Sequence, residues 1–146
     1  MKSQAEVLLV DDNPADIDLT SEVLSKSQQP LHVNAVFDGM EAISFLRRRD
    51  NYAAAPSPRL IVLDLNLPRK DGRAVLSELK SDPELARIPV VIFTTSQASG
   101  DINRSYELGA NCYLHKPGNL PDFVAAVTAM ADFWLHFATL PSEEKQ

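Results

Sequence analysis

Short apolar runs that alternate with segments of helical spacing are the feature that most constrains the fold of this chain. Such runs, too short for helices and rich in valine, isoleucine and leucine, are typical of buried strands. Five strands are predicted, over residues 7–10, 31–37, 60–63, 90–93 and 112–114. Strands that alternate with helices along a chain pair in parallel through right-handed crossovers. The pattern therefore predicts an α/β fold, a doubly wound sheet of five parallel strands flanked by five helices.

Capping residues and apolar spacing locate the helices. Asn13 followed by Pro14 is typical of an N-cap with proline at the first helical position, and it begins the first helix. The other helices are predicted over residues 39–49, 73–81, 100–108 and 120–137. In the last helix an apolar stripe predicts the buried face, formed by Leu120, Phe123, Val124, Val127, Met130, Ala131 and Trp134. Residues 50–58, which contain three alanines and two prolines, predict a loop.

Composition favours one globular domain. Of the 146 residues, 45% are apolar and 23% are charged, which are the proportions of a folded chain rather than a disordered one. A chain of this length buries about two-thirds of the surface that it exposes when unfolded, so its core needs no metal or disulfide. We expect a domain over residues 4–137 and a tail over residues 138–146, of which residues 142–146 are mobile.

Charge and cysteine content exclude several classes of partner and location. The chain has 14 lysine and arginine residues against 20 acidic residues, a formal net charge of −6, which repels the phosphate backbone of nucleic acids. Cys112 is the only cysteine, so no intrachain disulfide forms. No apolar run reaches about eighteen residues, and the first apolar run is short and ends in two acids, so we do not expect a signal peptide. We expect a cytoplasmic protein that binds neither nucleic acid nor membrane.

Polar side chains follow four of the predicted strands. Asp11 and Asp12 follow the first strand, Asp64 the third, Thr94 the fourth and Lys116 the fifth. In an open parallel sheet, ligands bind beyond the carboxyl ends of the strands, so these groups are expected to converge. Three neighbouring carboxylates repel one another unless protons or a cation offset their charge. An all-oxygen site that is open to water suits Mg²⁺ rather than zinc or copper.

Each of these residues also has an ordinary structural explanation. Asp12 beside Asn13 could cap a helix, Asp64 could form a turn, and Thr94 could be the frayed end of a strand. Lys116 could be a solvated cation. Short motifs often match by chance, and it is the joint placement after four separate strands that favours a shared functional site.

The residues and their order resemble the receiver domains of two-component response regulators. The shared motifs are Asp11-Asp12, Asp64 within DLNLPRKDG, Thr94 within PVVIFTTS, and Lys116 within YLHKP after GAN. The resemblance extends from about residue 6 to about residue 135, and it implies a flavodoxin-like sheet with strand order 2-1-3-4-5. The segments DLNLPRKDGR, ELGANCYLHKP and DFWL look more narrowly like the single-domain regulators paired with cyanobacterial phytochrome kinases.

By this resemblance, Asp64 is the phospho-acceptor that takes a phosphoryl group from the phosphohistidine of a sensor histidine kinase. Asp11, Asp12 and Asp64 match the carboxylates that bind Mg²⁺, together with the backbone carbonyl of Asn66. Lys116 matches the cation that neutralises a phosphoryl oxygen. The resemblance thus implies a phospho-accepting signalling protein, not an enzyme beyond a slow loss of its own phosphoryl group.

The resemblance also implies a switch in the region of the fourth and fifth helices. Thr94 matches the hydroxyl that moves toward the phosphoryl group, and Tyr113 matches the aromatic that changes rotamer with it. The Lys116–Pro117 bond matches one that is cis in the family. Ser96, two residues after Thr94, reaches poorly toward an attacking water, so we expect slow self-dephosphorylation.

Two other functions stay open. A Mg²⁺-dependent phosphohydrolase would also form an aspartyl phosphate, but such enzymes generally need a second acid two positions after the nucleophile, where this chain has Asn66. Such an enzyme would also need an insertion long enough to enclose a substrate. A receiver that only binds partners, without chemistry, is disfavoured because the set of motif residues is complete.

Aromatic residues near the end of the last predicted helix indicate a partner surface. Phe133 and Leu135 lie on the flanks of the predicted stripe, beside Trp134. We expect these three residues to form an interface in a homodimer that uses the fourth and fifth helices and is strengthened by phosphorylation. Packing into the core is an equally good explanation of the same residues. A downstream protein that the sequence does not name would receive the signal.

Overall fold

The computed structural model describes residues 5–27 and 30–141, and it has the predicted α/β architecture. The strands are β1 (Ala5–Val10), β2 (Leu31–Val36), β3 (Leu60–Leu63), β4 (Val90–Thr94) and β5 (Cys112–His115). The helices are α1 (Pro14–Ser25), α2 (Gly39–Leu46), α3 (Gly72–Ser81), α4 (Ser99–Glu107) and α5 (Leu120–Ala131). The strand order is β2-β1-β3-β4-β5, with every neighbouring pair parallel, so the predicted fold and the implied order are both confirmed.

Alternation of side chains divides the core into two layers, one on each face of the sheet. Leu8 and Val10 of β1 belong to the layer covered by α2 and α3, which we call the α2/α3 layer. Val7 and Leu9 belong to the layer covered by α1 and α5, the α1/α5 layer. Every residue of β3 and β4 is buried, because helices cover both faces of the central strands. This burial explains why these strands are unbroken apolar runs in the sequence.

Side-chain caps begin four of the five helices. Asn13, Asp38, Asp71 and Asn119 each accept a hydrogen bond from a backbone amide of the first helical turn. The helices are short, and the longest, α1 and α5, have 12 residues each. Within residues 5–27 and 30–141, none of them combines the length and the apolarity that crossing a membrane requires.

The second helix ends earlier than predicted, at Leu46 rather than at residue 49. Arg48 and Asp50 have positive φ angles of 54° and 55°, so the chain leaves the right-handed helical region there. A short 3-10 turn, Asp50–Tyr52, then forms inside the segment predicted as a loop. The helical pattern predicts too many residues because apolar spacing does not show that Arg48 adopts a positive φ angle.

The last helix changes its geometry where the prediction continues it unchanged. α5 is followed by a π-helical turn, Asp132–Phe137, in which the Ala138 amide donates to the Phe133 carbonyl over 2.7 Å. The wider turn rotates the aromatic residues relative to an α-helix. Phe133 is 56% exposed, whereas Trp134 and Leu135 are partly buried against the α1/α5 layer.

The buried face of α5 begins later than predicted. Phe123, Val127 and Met130 are buried in the α1/α5 layer. Leu120, one turn before Phe123, is 60% exposed and lies outside this face. The predicted stripe is therefore correct in its phase and too long at its start.

The chain after the π-helical turn is held against the fold. Leu140 packs against the α1/α5 layer, and its carbonyl accepts a hydrogen bond from Arg59 Nη2 over 3.2 Å. Ordered packing therefore continues past residue 137, where the predicted domain ends. The segment 142–146, predicted to be mobile, lies outside the described residues.

Candidate functional site

Three carboxylates that come from separate parts of the sequence lie together at the carboxyl edge of the sheet. Asp11 follows β1 and Asp64 follows β3, and these strands pair with Val10 opposite Leu63, which places the two acids side by side. Asp12 joins them, and one oxygen from each of the three carboxylates lies within 4.8 Å of the others. Asp11 and Asp64 are each 8% exposed, whereas Asp12 is open to solvent. The cluster thus combines two nearly buried carboxylates with one that faces water.

Lys116 places a buried ammonium group among these acids. Its Nζ donates to Asp11 Oδ2 (2.5 Å) and to Asp64 Oδ2 (3.0 Å). It also donates to Asp16 Oδ2 (2.9 Å), so each N–H group of the ammonium has an acceptor. The Lys116 backbone amide donates to the Thr94 carbonyl (2.7 Å), which continues the pairing of β4 with β5. Sheet pairing thus fixes the backbone from which the lysine side chain reaches the acids.

The lysine reaches the acids without the cis bond that the resemblance implies. The described residues contain no cis peptide bond, so the expectation for Lys116–Pro117 is wrong for this structure. The long, flexible stem of a lysine can span different backbone geometries. In the trans geometry the ammonium contacts three carboxylates and is only 4% exposed.

Burial and hydrogen bonding act in opposite directions on the charges of this cluster. Burial raises the pKa of Asp11, and the hydrogen bonds from Lys116 and from the Asn13 amide (2.9 Å) offset only part of the shift. Burial by itself would lower the pKa of Lys116. Its hydrogen bonds to Asp11 and Asp16, with the charge of Asp64, outweigh burial and raise that pKa. The lysine is therefore held in its charged form and offsets part of the charge of the acids.

The donor set fits a hard divalent cation. Asp11, Asp12 and Asp64 offer only carboxylate oxygens, which Mg²⁺ and Mn²⁺ accept, and the exposure of Asp12 leaves room for water ligands. The backbone amide of Asn66 donates to Asp64 Oδ1 (3.3 Å). This hydrogen bond fixes the loop that carries the Asn66 backbone carbonyl, which is expected as a further ligand. The single charge of Lys116 leaves the three acids with an excess of negative charge, which a divalent cation would offset.

Asp16 belongs to this site although no motif predicts it. It lies in the first turn of α1, the helix that begins directly after Asp11 and Asp12. An acidic residue there is readily explained by the helix dipole, so the residue type alone does not indicate a site. The signal that could have found it is position, because the first turn of α1 must lie at the same edge of the sheet as Asp11.

Gly72 brings the start of α3 against the backbone that presents Asp64. The Gly72 amide donates to the Leu65 carbonyl over 2.8 Å. A Cβ atom at Gly72 would overlap the Asp64 carbonyl oxygen and would lie 2.6 Å from Leu65 Cα. The close approach of two backbones therefore requires glycine at this position.

Comparison with known proteins identifies the family. Residues 7–128 match the response regulator receiver domain. The chain belongs to the response regulator receiver family. The response regulator Rcp1 of Synechocystis sp. is 48% identical over 136 residues, which are 93% of this chain and 92% of that protein. The resemblance drawn from the sequence motifs is thereby confirmed.

Solved structures similar to this receiver include a cyanobacterial phytochrome response regulator and a metal-bound response regulator. The phosphorylated cyanobacterial phytochrome response regulator RcpA has a TM-score of 0.93 and 51% identity, with 96% of this chain and 100% of that chain covered. The Mn²⁺-bound form of Rcp1 has a TM-score of 0.92 and 47% identity, with 94% and 99% covered. The narrower resemblance to cyanobacterial phytochrome regulators is therefore also confirmed.

In this receiver, the residues expected to form the switch are connected through Ser96. The Ser96 amide donates to Oγ1 of the fully buried Thr94 (3.5 Å), and the Tyr113 hydroxyl donates to the Ser96 carbonyl (2.9 Å). Ser96 Oγ donates to Asp101 Oδ2 (2.6 Å), and Arg73 Nη2 donates to Asp101 Oδ1 (2.6 Å). The loop between β4 and α4 is thus tied to β5 and to α3. The switch roles of Thr94 and Tyr113 stay predictions.

Proposed function

We propose that this receiver accepts a phosphoryl group on Asp64 from the phosphohistidine of a sensor histidine kinase, and that the kinase is a phytochrome. The convergence of Asp11, Asp12 and Lys116 around Asp64 is the observation that carries the proposal. The similarity to RcpA, a cyanobacterial phytochrome response regulator, supports the choice of kinase.

The arrangement suits attack by a carboxylate on phosphorus. An oxygen of Asp64 attacks, the P–N bond to the kinase histidine breaks with its electron pair passing to the imidazole nitrogen, and Asp64 becomes an acyl phosphate. Asp11, Asp12, Asp64 and the Asn66 carbonyl would hold Mg²⁺, which when bound screens the charge of carboxylate and phosphoryl oxygens. Lys116 is suited to neutralise a phosphoryl oxygen, since its ammonium already lies 3.0 Å from Asp64 Oδ2.

Phosphotransfer is tested by mixing the full chain and Mg²⁺ with a panel of histidine kinases labelled by radioactive ATP, a phytochrome kinase among them. We expect label on the wild type and on Asp18→Asn, which removes an exposed carboxylate of α1. We expect none on Asp64→Asn, whose helical circular dichroism should match the wild type. Equal labelling of Asp64→Asn would contradict the choice of acceptor. Transfer of label to the receiver from the phytochrome kinase, and from no other kinase of the panel, would identify the phytochrome as the partner.

The phosphohydrolase alternative gains no support from the geometry. The residue two positions after Asp64 is Asn66, whose amide group is neutral and cannot act as the second acid of such an enzyme. The proposed chemistry is therefore phosphoryl acceptance followed by slow hydrolysis. A cytoplasmic location stays a prediction.

Ser96 is expected to make the acyl phosphate long-lived. Its hydroxyl is short and is bonded to Asp101, so it is not free to orient a water molecule for attack. Ser96→Gln, whose amide reaches farther, should accelerate loss of the phosphoryl group roughly tenfold. The measurement is decay of labelled protein after removal of the kinase, with Ser99→Gln, at an exposed position, as the control. An unchanged rate in Ser96→Gln would remove the explanation.

Signal output is proposed to be association of two copies through the region of α4, α5 and the π-helical turn. Phe133 contacts Trp134 edge-on with ring centroids 5.2 Å apart and leaves more than half of its surface exposed. Phe133→Glu should weaken the dimer, because association would bury its charge. Analytical ultracentrifugation of both proteins, with and without phosphorylation, measures the effect. The same monomeric mass for both in every condition would exclude the dimer.

A further inference from the structure

Asp16 differs from the other carboxylates that hold Lys116. The ammonium donates to three acids, of which Asp11 and Asp64 belong to the cluster suited to a divalent cation and Asp16 does not. The backbone of Asp16 is held independently of the lysine, since its amide donates to the side chain of Asn13, the N-cap of α1, over 3.2 Å. One partner of the lysine thus stays available when a cation takes the other two.

A divalent cation and the ammonium compete for the same carboxylates. Like charges that share a poorly hydrated site repel one another strongly, so a cation bound to Asp11 and Asp64 weakens both of those contacts with Lys116. The lysine is 4% exposed and cannot readily exchange a lost carboxylate for water. Its contact with Asp16 (2.9 Å) then contributes a larger share of the stabilisation of the ammonium than it does without the cation.

We propose that Asp16 is a positioning residue that retains the Lys116 ammonium while a divalent cation binds to Asp11 and Asp64, and that it thereby raises the affinity of the site for the cation. The inference rests on the proposed metal-dependent function of this site. With asparagine at position 16, the lysine loses the one charged partner that the cation leaves to it. It then stays closer to Asp11 and Asp64 and opposes cation binding.

The test is a titration of the full chain with Mn²⁺, in which electron paramagnetic resonance measures the free ion, so the result does not depend on phosphotransfer. We expect Asp16→Asn to raise the Kd for Mn²⁺ by roughly five- to tenfold, the size of a typical intramolecular hydrogen bond. Asp18→Asn removes the same charge from the exposed face of α1 and should change the Kd by less than about twofold.

A double-mutant cycle distinguishes action through the lysine from direct action on the ion. In a Lys116→Met background, adding Asp16→Asn should change the Kd by less than about twofold, because no ammonium is left to position. A similar loss of Mn²⁺ affinity in both backgrounds would overturn the proposal. Asp16 would then act on the cation directly, either as a ligand or through its negative charge. No loss in either would leave it a purely structural residue.

A second variant covers the case in which Lys116→Met does not fold. Asp16→Glu keeps the charge on a longer stem and should restore most of the Mn²⁺ affinity that Asp16→Asn loses. An equal loss in Asp16→Glu would overturn the proposal. Failure of the metal site itself is distinguishable, because the wild type would then bind no Mn²⁺, or Asp11→Asn would bind it equally well.

Discussion

Gly72→Ala is expected to lower the free energy of unfolding by about 3 kcal/mol or more, because the new methyl group collides with backbone rather than with a side chain that could rotate away. The colliding atoms are the Asp64 carbonyl oxygen and Leu65 Cα. Relief requires α3 to move away from the strand end that carries Asp64, the proposed acceptor, so phosphotransfer should fall as well. Urea denaturation at equilibrium measures the stability, and transfer from the labelled kinase measures the chemistry.

Gly100→Ala is the matched control for this substitution. Gly100 lies in the first turn of α4, and a Cβ atom there would meet no atom within 4 Å. Alanine is the better helix former by about 1 kcal/mol, so this variant should be as stable as the wild type or slightly more so. If Gly72→Ala unfolds at the same urea concentration as Gly100→Ala, the close packing of α3 against the backbone of Asp64 and Leu65 does not limit stability.

Lys116→Met is expected to lower the free energy of unfolding by about 3 kcal/mol in the presence of a chelator, because it removes the common partner of three acids. Asp11, Asp16 and Asp64 would then repel one another with no ammonium between them. Excess Mg²⁺ should restore part of the loss, since a ligand that binds the native state stabilises it. Urea titrations in chelator and in Mg²⁺ measure both effects.

Lys26→Met is the control for Lys116→Met. It shows whether a loss of stability comes from removing the buried ammonium or from replacing a lysine at any position. The Lys26 side chain is 75% exposed, and its nearest carboxylate oxygen, on Glu22, is 4.0 Å away. Surface pairs of this kind contribute little to stability, so the urea midpoint should hardly change. If Lys116→Met in chelator proved as stable as Lys26→Met, the ammonium would not be what holds the acids together.

The sequence predicts those parts of the fold that depend on burial and on local capping. β3 and β4 are recognisable because both of their faces are covered, which makes their apolar runs continuous. The start of α1 is recognisable because Asn13 and Pro14 act through atoms close to them in the chain. The convergence of Asp11 with Asp64 also follows once the strands are taken as parallel.

The parts that the sequence does not predict depend on geometry that residue types do not encode. A π-helical turn and an α-helix can have the same apolar pattern, so the pattern predicts neither the end of α5 nor the partial burial of Trp134. The role of Asp16 is not predicted either, because its partner Lys116 is 100 residues away in the chain. The trans bond at Pro117 also differs from the expectation drawn from the family resemblance.

The two layers of the core have no residue in common, because the sheet lies between them. Truncating Leu76 on one face and Val127 on the other should therefore have nearly additive energetic effects, since neither side chain contacts the other's neighbours. Substitutions in the layer covered by α1 and α5 can therefore accumulate independently of the other layer. Such drift needs no compensating change in the half built on α2 and α3.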